Sequence, residues 1–364
     1  MPTFKVIKLS PSAVQAQEWD KLVSQAYSYD FYHLSGYHQL AEKLGEGKAI
    51  FLAYQEGEYF IGLPLLLRNL SYIEGLERFN WLDATSVYGY AGPVSSHHEL
   101  PKSVICNFIE KISDYLYNNR IVSVFSRLHP ILGNHSIIKD IGEVSYMGET
   151  VAINLNTELS EQWQYYSSNH KRNIKKLRRL KARVFLDKKL AFLEKFWELY
   201  TETMQRVKAS NHYFFSLDYF KSLFNINNTT NFCSFHLFLC EIEENIVSGG
   251  IFSECNGIVQ YHLGATANVW LKYAPLKLVF DEVRLWAYRR GNRWFHLGGG
   301  VGATQDSLFR FKAGFSPIRF PFYTWKWIIR PKVYETLVRA RQNWYESLGK
   351  TFPSNKNFFP KYRQ

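Results

Sequence analysis

The sequence predicts an α/β chain made of two domains built to one plan, and two observations carry that expectation. The chain has 364 residues, of which 46% are apolar and 21% charged, enough for two compact domains with separate cores. An order of elements read in the first half (apolar strands in a hairpin, then a helix, then a strand) returns in the second half without a repeat in sequence.

Taken in order, Phe4 to Leu9 alternates apolar and polar residues as an opening strand does, and Ser12 is placed to cap a helix running to Tyr27. Phe31 to Leu44 reads as a second helical segment. Ala49 to Tyr54, the turn Glu56-Gly57-Glu58 and Tyr59 to Leu67 form a hairpin, with Pro64 marking a bulge or an edge. A strand surrounds Val87, and Gly89, Gly92 and Pro93 mark a turn. Leu100 to Asn118 is an amphipathic helix with Val104, Phe108, Ile112 and Leu116 on one face, followed by a strand from Ile121 to Leu128.

The second half opens with a strand from Val151 to Leu155 and a basic helix from Ser160 to Lys181. A short strand (Val184 to Leu186), a long helix (Leu190 to Val207) and another helix (Leu217 to Phe224) follow. Phe235 to Glu241, Ile246 to Glu254 and Ile258 to Leu263 make a three-strand meander. The helix Leu276 to Arg290 is closed by Gly291 as its C′ residue, and Trp294 to Leu297 is the last strand. This order suits two α/β domains in tandem, each a mixed sheet flanked by helices. The expected division is 1–149, 150–330, and a C-terminal helix and tail at 331–364. The tail beyond Thr351 reads as poorly anchored.

Net charge is +12, which calls for an anionic partner: nucleic acid, a phosphorylated substrate or an acidic membrane face. The four cysteines have no metal-finger or CxxC spacing, fitting a reduced cytoplasmic setting. The first residues, MPTFKVIKLSPSAV, lack a signal peptide's apolar core. The histidines form no HExxH pattern, and neither GxSxG nor a Walker loop is present, so metal, serine-hydrolase and P-loop chemistry have no support here.

Chemistry is concentrated in two stretches. After the last strand come Gly298, Gly299 and Gly300, where backbone can approach a ligand closely. Thr304 or Asp306 then caps a short helix carrying Phe311 and Lys312. A lysine at the exit of a glycine turn, among phenylalanines, can be partly desolvated and serve as a fixed positive charge; the plainer alternative is a surface lysine. The second stretch holds ten Lys or Arg between His170 and Lys189 against one acid, Asp187. On a helix, Ile174 and Leu177 keep a narrow apolar stripe while Lys171, Arg172, Lys175, Lys176, Arg178 and Arg179 ring the rest. That is either a solvated face or a phosphate-contacting surface for RNA, a nucleotide-linked substrate or anionic lipid.

LGGG followed by LFRFKAGFS, the segment SSNHKRNIKKLRRLKARV and the element YGYAGPV together resemble, in order and spacing, the Fem-type (FemABX) aminoacyltransferases that build peptidoglycan cross-bridges. The resemblance reaches from near Phe31 to Phe322. It implies tandem GNAT-like domains and a basic helix that binds the phosphates of tRNA or another donor through Lys171, Arg172, Lys175, Lys176 and Arg179. Tyr88 and Tyr90 resemble the element lining the family's cleft, with Tyr-Ala where the family has Pro-Arg. Thr203-Met204-Gln205-Arg206 and the following Tyr213 resemble a substrate-binding helix end. The arginine used there on a diphosphate is replaced by Ala209 or Ser210, which argues against a UDP-muropeptide acceptor. His262 lies on a strand that the resemblance aims at the site.

The reading is a Fem-like transferase moving an aminoacyl or acyl group to an amine of a cell-wall or surface-glycan precursor. Lys312, held by Phe311, would stabilise the oxyanion; Asp306, His262 or the tRNA itself would take the proton; Tyr88, Tyr90, Arg206, Tyr213 and Gly298 to Gly300 would contact substrate. No cofactor or metal is required. Partners are an aminoacyl-tRNA or acyl-CoA donor, a cell-wall or glycan precursor and a peripheral anionic membrane, at the inner face of which a cytoplasmic protein would work. The stretch LKYAPLKL lacks the Q/R-x-x-G-x-G/A loop that cradles a CoA pyrophosphate. Two other readings stay open: an acyl-CoA-dependent N-acyltransferase acting on an amino-sugar, and a non-catalytic RNA- or membrane-binding protein.

Overall fold

The computed structural model describes residues 1–9, 13–353, 355 and 358–364, so the proposed cap Ser12 lies outside the described residues. The chain divides into two units, Met1–Met147 with Phe322–Gln364, and Gly148–Pro321. The first part of the chain gives β1 (Thr3–Lys8), α1 (Ala13–Val23), α2 (Ser35–Lys43), β2 (Lys48–Glu56) and β3 (Tyr59–Asn69). Then come β4 (Leu82–Thr85), β5 (Val94–Ser95), α3 (Lys102–Asn118), β6 (Ile121–Arg127) and α4 (His135–Ile138). β7 (Glu143–Asn154) leads to α5 (Leu159–Gln164), α6 (Ser168–Arg179), β8 (Arg183–Leu186), α7 (Leu193–Arg206) and α8 (Leu217–Asn225). The meander β9 (Cys233–Ile242), β10 (Asn245–Cys255) and β11 (Ile258–Thr266) follows. Last come α9 (Leu276–Arg289), β12 (Trp294–Gly298), α10 (Ser307–Ala313), β13 (Arg319–Ile328) and α11 (Pro331–Ser347).

Both units obey one plan. In the first, β1 to β4 pair antiparallel in sequence, α3 crosses over, and β6 returns parallel to β4. Thr324–Ile328 of β13 then pair antiparallel with β6. In the second, β8 to β11 pair antiparallel in sequence, α9 crosses over, β12 returns parallel to β11, and Val151–Asn154 of β7 pair antiparallel with β12. A parallel neighbour needs such a crossover, and the helix it supplies covers one face of the sheet. Phe108, Ile112 and Leu116 of α3 pack on Ile50, Leu52, Leu63, Leu65 and Val124. Phe280 and Val283 of α9 pack on Phe252, Val259 and Phe295 together with Ile174 and Leu177 of α6.

Several expectations are corrected. The strand near Val87 is β4, ending at Thr85. Phe31 to Leu44 is interrupted: a single turn, Phe31–His33, is closed by a capping box between Asp30 and His33, and α2 starts at Ser35. The helix expected from Ser160 to Lys181 is two helices. Ser167 breaks it because its side chain caps α6 at His170 N, while its own N–H goes to Gly314 O at 2.8 Å. Pro64 sits in a strand whose register with β2 runs unbroken, opposite Phe51. On the other edge β5 pairs at Ile61–Gly62 and β4 at Leu66–Asn69, so the residue without an N–H falls in the gap.

A second domain ending at 330, with 331–364 set apart, is also not what forms. Pairing of Thr324–Ile328 with β6 instead joins everything from Phe322 onward to the first unit. The tail is anchored: Tyr362 is fully buried with its hydroxyl 2.7 Å from Ser123 Oγ, and Arg363 pairs with the buried Asp83. Among the described residues, no helix is long and apolar enough to cross a membrane.

Candidate active site

In the second unit β11 and β12 pair only from Ile258–Gln260 to Trp294–His296. Beyond that point β11 stays with β10 as far as Thr266, and β12 stays with β7 as far as Gly298, so the two strands part. Each is bulged where they diverge: the register steps past His262 on β11 and past Leu297 on β12. Bulges re-aim side chains and end pairing, and they gather beside active sites. The fully buried His296 pins the last pair, with Nδ1 on Gln260 Oε1 and Nε2 2.8 Å from Thr150 Oγ1.

The glycine turn after β12 carries the chain to α10. Gly298 has φ +76°, a conformation that favours glycine. A Cβ on Gly300 would lie 2.1 Å from Thr304 O and 2.4 Å from Asp306 Oδ1. Asp306 is the N-cap: Oδ1 accepts Phe309 N–H at 2.8 Å and Oδ2 accepts Val301 N–H at 3.1 Å. With both carboxylate oxygens holding the turn and the helix together, Asp306 is placed as a structural clamp more than as a proton acceptor.

α10 then delivers Lys312 to the divergence of the strands. Its Nζ donates to Gly299 O at 2.6 Å, just past β12, and stands 5.5 Å from the ring centroid of Tyr261 on β11. Only 6% of the residue is exposed, and among the described residues no carboxylate reaches ion-pair distance of it. Burial pushes its pKa down to about 7, with the Asp306 charge opposing. Phe311 points the other way, packing edge-on to Phe280 and Phe315, so it supports the helix from the core.

The remaining candidates fall in different places. His262, at the bulge, is half-buried with Nε2 3.2 Å from the Tyr219 hydroxyl, and burial pushes its pKa down to about 4. Arg206 donates to Thr266 O at 3.0 Å, to Asn268 Oδ1 and to Thr203 Oγ1, tying the end of α7 to the end of β11. The Tyr213 ring lies tilted against that of His212, and the Tyr213 carbonyl accepts the Tyr200 hydroxyl at 2.8 Å. Tyr88 and Tyr90 belong to the first unit. Tyr90 contacts Tyr32, His129 and Phe322 edge-on, and the Arg127 guanidinium lies 6.0 Å above the Tyr88 ring. Gly89 between them has φ +117°, and a Cβ there would strike the Tyr32 ring.

On α6, His170, Ile174 and Leu177 face inward. Arg172, Lys175, Lys176 and Arg179 are exposed, and Lys171 is half-buried, donating to Gln164 O at 2.9 Å. Arg178 is set apart, because it bridges Asp281 at 2.7 Å and Glu282 at 3.0 Å on α9. Two further residues are not picked out by the sequence. Lys277, 7% exposed at the start of α9, donates to Asn169 Oδ1 at 3.1 Å, and burial beside Arg172 lowers its pKa. His170 joins α6 to α10. The signal for Lys277 lies in LKYAPLKL, where the lack of glycines stands out more than the lysine does.

The acetyltransferase (GNAT) domain family matches residues 166–312, which makes this part of the second unit a GNAT-type acyltransferase domain. Among solved structures, FemX aligns with a TM-score of 0.66 at 12% identity, over 90% of this chain and 99% of that chain. L-PGS from Bacillus licheniformis aligns at 0.52 and 13% identity, over 88% of this chain and 93% of that one. The C-terminal domain (DUF2156) of a putative lysylphosphatidylglycerol synthetase from Agrobacterium fabrum aligns at 0.51 and 11% identity, over 84% and 91%. No curated protein sequence matches the chain. At these identities the likeness is one of fold, and that fold is Fem-type and GNAT-like, as the resemblance in sequence implied.

Proposed function

We propose, for a chain that carries an acetyltransferase (GNAT) domain within a Fem-like fold, that it transfers an aminoacyl group from aminoacyl-tRNA to an amine of a cell-wall or surface-glycan precursor. The observation that carries the reading is Lys312: a buried ammonium with, among the described residues, no carboxylate in ion-pair reach, placed where β11 and β12 part. The acceptor amine attacks the ester carbonyl carbon, a tetrahedral oxyanion forms, and the C–O bond to the ribose oxygen breaks. A positive charge already fixed in a dry site stabilises that oxyanion without reorganising at the moment of reaction. The amine's proton goes to the departing ribose oxygen, which must gain one, so the balance closes without a separate base. His262, a weak base at a pKa of about 4, and Asp306, engaged as a cap, fit that assignment.

Arg172, Lys175, Lys176 and Arg179 with Lys171 would hold the donor's phosphates, and the same cations would meet an anionic membrane surface. One neighbour in fold, the domain of a putative lysylphosphatidylglycerol synthetase, is named for an aminoacylated lipid, which supports an aminoacyl donor over acetyl. The name of the matched domain family, acetyltransferase, favours an acyl donor; the second reading is therefore acyl transfer from acyl-CoA, with an amino-sugar as acceptor. The absence of glycines before α9 speaks against it. The test is to incubate the chain with a precursor extract and either labelled aminoacyl-tRNA or labelled acetyl-CoA, then read products by mass spectrometry. Label arriving only from aminoacyl-tRNA is the expected result; label arriving only from acetyl-CoA replaces this reading with the second.

A further inference from the structure

α10 has only seven residues, Ser307–Ala313, and the carbonyls of its last turn run out of helical donors. Two carbonyls at its end are met by the start of α6. Ser167 N–H donates to Gly314 O at 2.8 Å, and His170 Nε2 lies 2.8 Å from Phe311 O. A carbonyl can only accept, so Nε2 carries the proton. Nδ1 then accepts from Ser167 Oγ at 2.9 Å, and that oxygen in turn accepts His170 N–H at 3.2 Å. The imidazole is 5% exposed, meets the Phe315 ring edge-on at 4.4 Å, and lies so close that a Cβ on Gly314 would come within 2.3 Å of its Cε1.

The carbonyl it holds belongs to the peptide group that joins Phe311 to Lys312. Fixing that plane fixes the direction in which the Lys312 side chain leaves the backbone. We propose that His170 is a positioning residue for Lys312: its hydrogen bond to the Phe311 carbonyl keeps the ammonium on Gly299 O and out of water. The inference rests on the reading of Lys312 as the reactive cation. The charged groups near the pair are Lys277 beside His170 and Asp306 beside Lys312. Burial and Lys277 push the imidazole pKa down to about 4, so one neutral tautomer persists at neutral pH.

The experiment follows Lys312 itself and needs no substrate. The full chain is labelled with trace acetic anhydride from pH 5.5 to 10, and the Lys312 peptide is quantified by mass spectrometry to give its titration midpoint. His170→Gln can place an amide N–H where Nε2 stands, whereas His170→Asn is one methylene too short. Gly314→Ala evicts the ring without touching it chemically. The expected result is a midpoint raised by about one unit or more in His170→Asn and Gly314→Ala, and unchanged in His170→Gln. Melting by circular dichroism reports which variants are folded, and Gly314→Ala against His170→Gln decides the matter if His170→Asn is not. Unchanged midpoints in the folded Asn or Ala variants overturn the proposal, as does a Gln variant that shifts as far as Asn. A wild-type midpoint in the ordinary lysine range would instead defeat the reading of Lys312 as desolvated, whatever His170 does.

Discussion

A buried lysine without a carboxylate reports how dry its surroundings are, and Lys312 does so in two measurable ways. Its pKa is about 7 in the folded chain against about 10.4 for a free lysine. Between those values the unfolded chain binds the extra proton, so this group's contribution makes stability rise with pH from about 7 to 10. Below 7 the full cost of burying the charge is present. Lys312→Met should therefore gain on the wild type as pH falls from 10 to 6.5, by about 1 kcal/mol or more in urea denaturation; a difference between the two that ignores pH contradicts the burial. Turnover gives the second measure. A cation loses its role on deprotonation, so activity should fall as pH rises through the titration of Lys312 in the bound complex, whereas a neutral lysine acting as base would make it rise. The sequence makes Lys312 visible as a charge between Phe311 and a glycine turn. Its dryness is not visible there, because Tyr261 comes from β11 and Gly299 from the turn after β12. His170 is less legible still, its partner Phe311 lying 141 residues away.

At the scale of elements, α6 is legible as a basic amphipathic helix, but spacing does not distinguish its six cations. The structure separates them: Arg178 is committed to Asp281 and Glu282, while Arg172, Lys175, Lys176 and Arg179 stay exposed. Replacing Lys171, Arg172, Lys175 and Lys176 together with Ala should weaken binding to bulk tRNA and flatten the salt slope by about 0.7 to 0.9 for each phosphate no longer neutralised. Arg178→Ala should leave the slope intact and destabilise the chain, since Asp281 is buried and would keep, among the described residues, only Arg284 as a cationic partner. Equal slopes in the quadruple variant and the wild type would return α6 to a solvated face. The helix break at Ser167 is hidden from the sequence for a physical reason: the N–H that leaves the helix there is taken by Gly314, far along the chain.

Over the whole molecule, the meander, helix and strand order is readable from apolar runs and turn residues in both halves, and it yields the GNAT-like plan. Connections over long separations are not readable. Tyr323-Thr324-Trp325-Lys326-Trp327 alternates as a strand does, but nothing in it names β6, about 200 residues earlier, as its partner, and the tail's polar composition hides an anchor that depends on Asp83. That carboxylate is fully buried between Arg68 and Arg363, with Tyr362 packed beside it. Arg363→Ala should cost about 3 kcal/mol in urea denaturation, because it strips one partner from a buried charge; a loss under about 0.5 kcal/mol would mean the tail is only resting there. The account of the molecule as a transferase turns on Lys312, and turnover of Lys312→Ala with labelled aminoacyl-tRNA and a precursor extract tests it most directly. The account predicts a fall of about 100-fold or more, little rescue by Lys312→Arg, smaller losses in donor binding, and no loss in the exposed control Lys350→Ala. Normal turnover by a folded Lys312→Ala protein would contradict it.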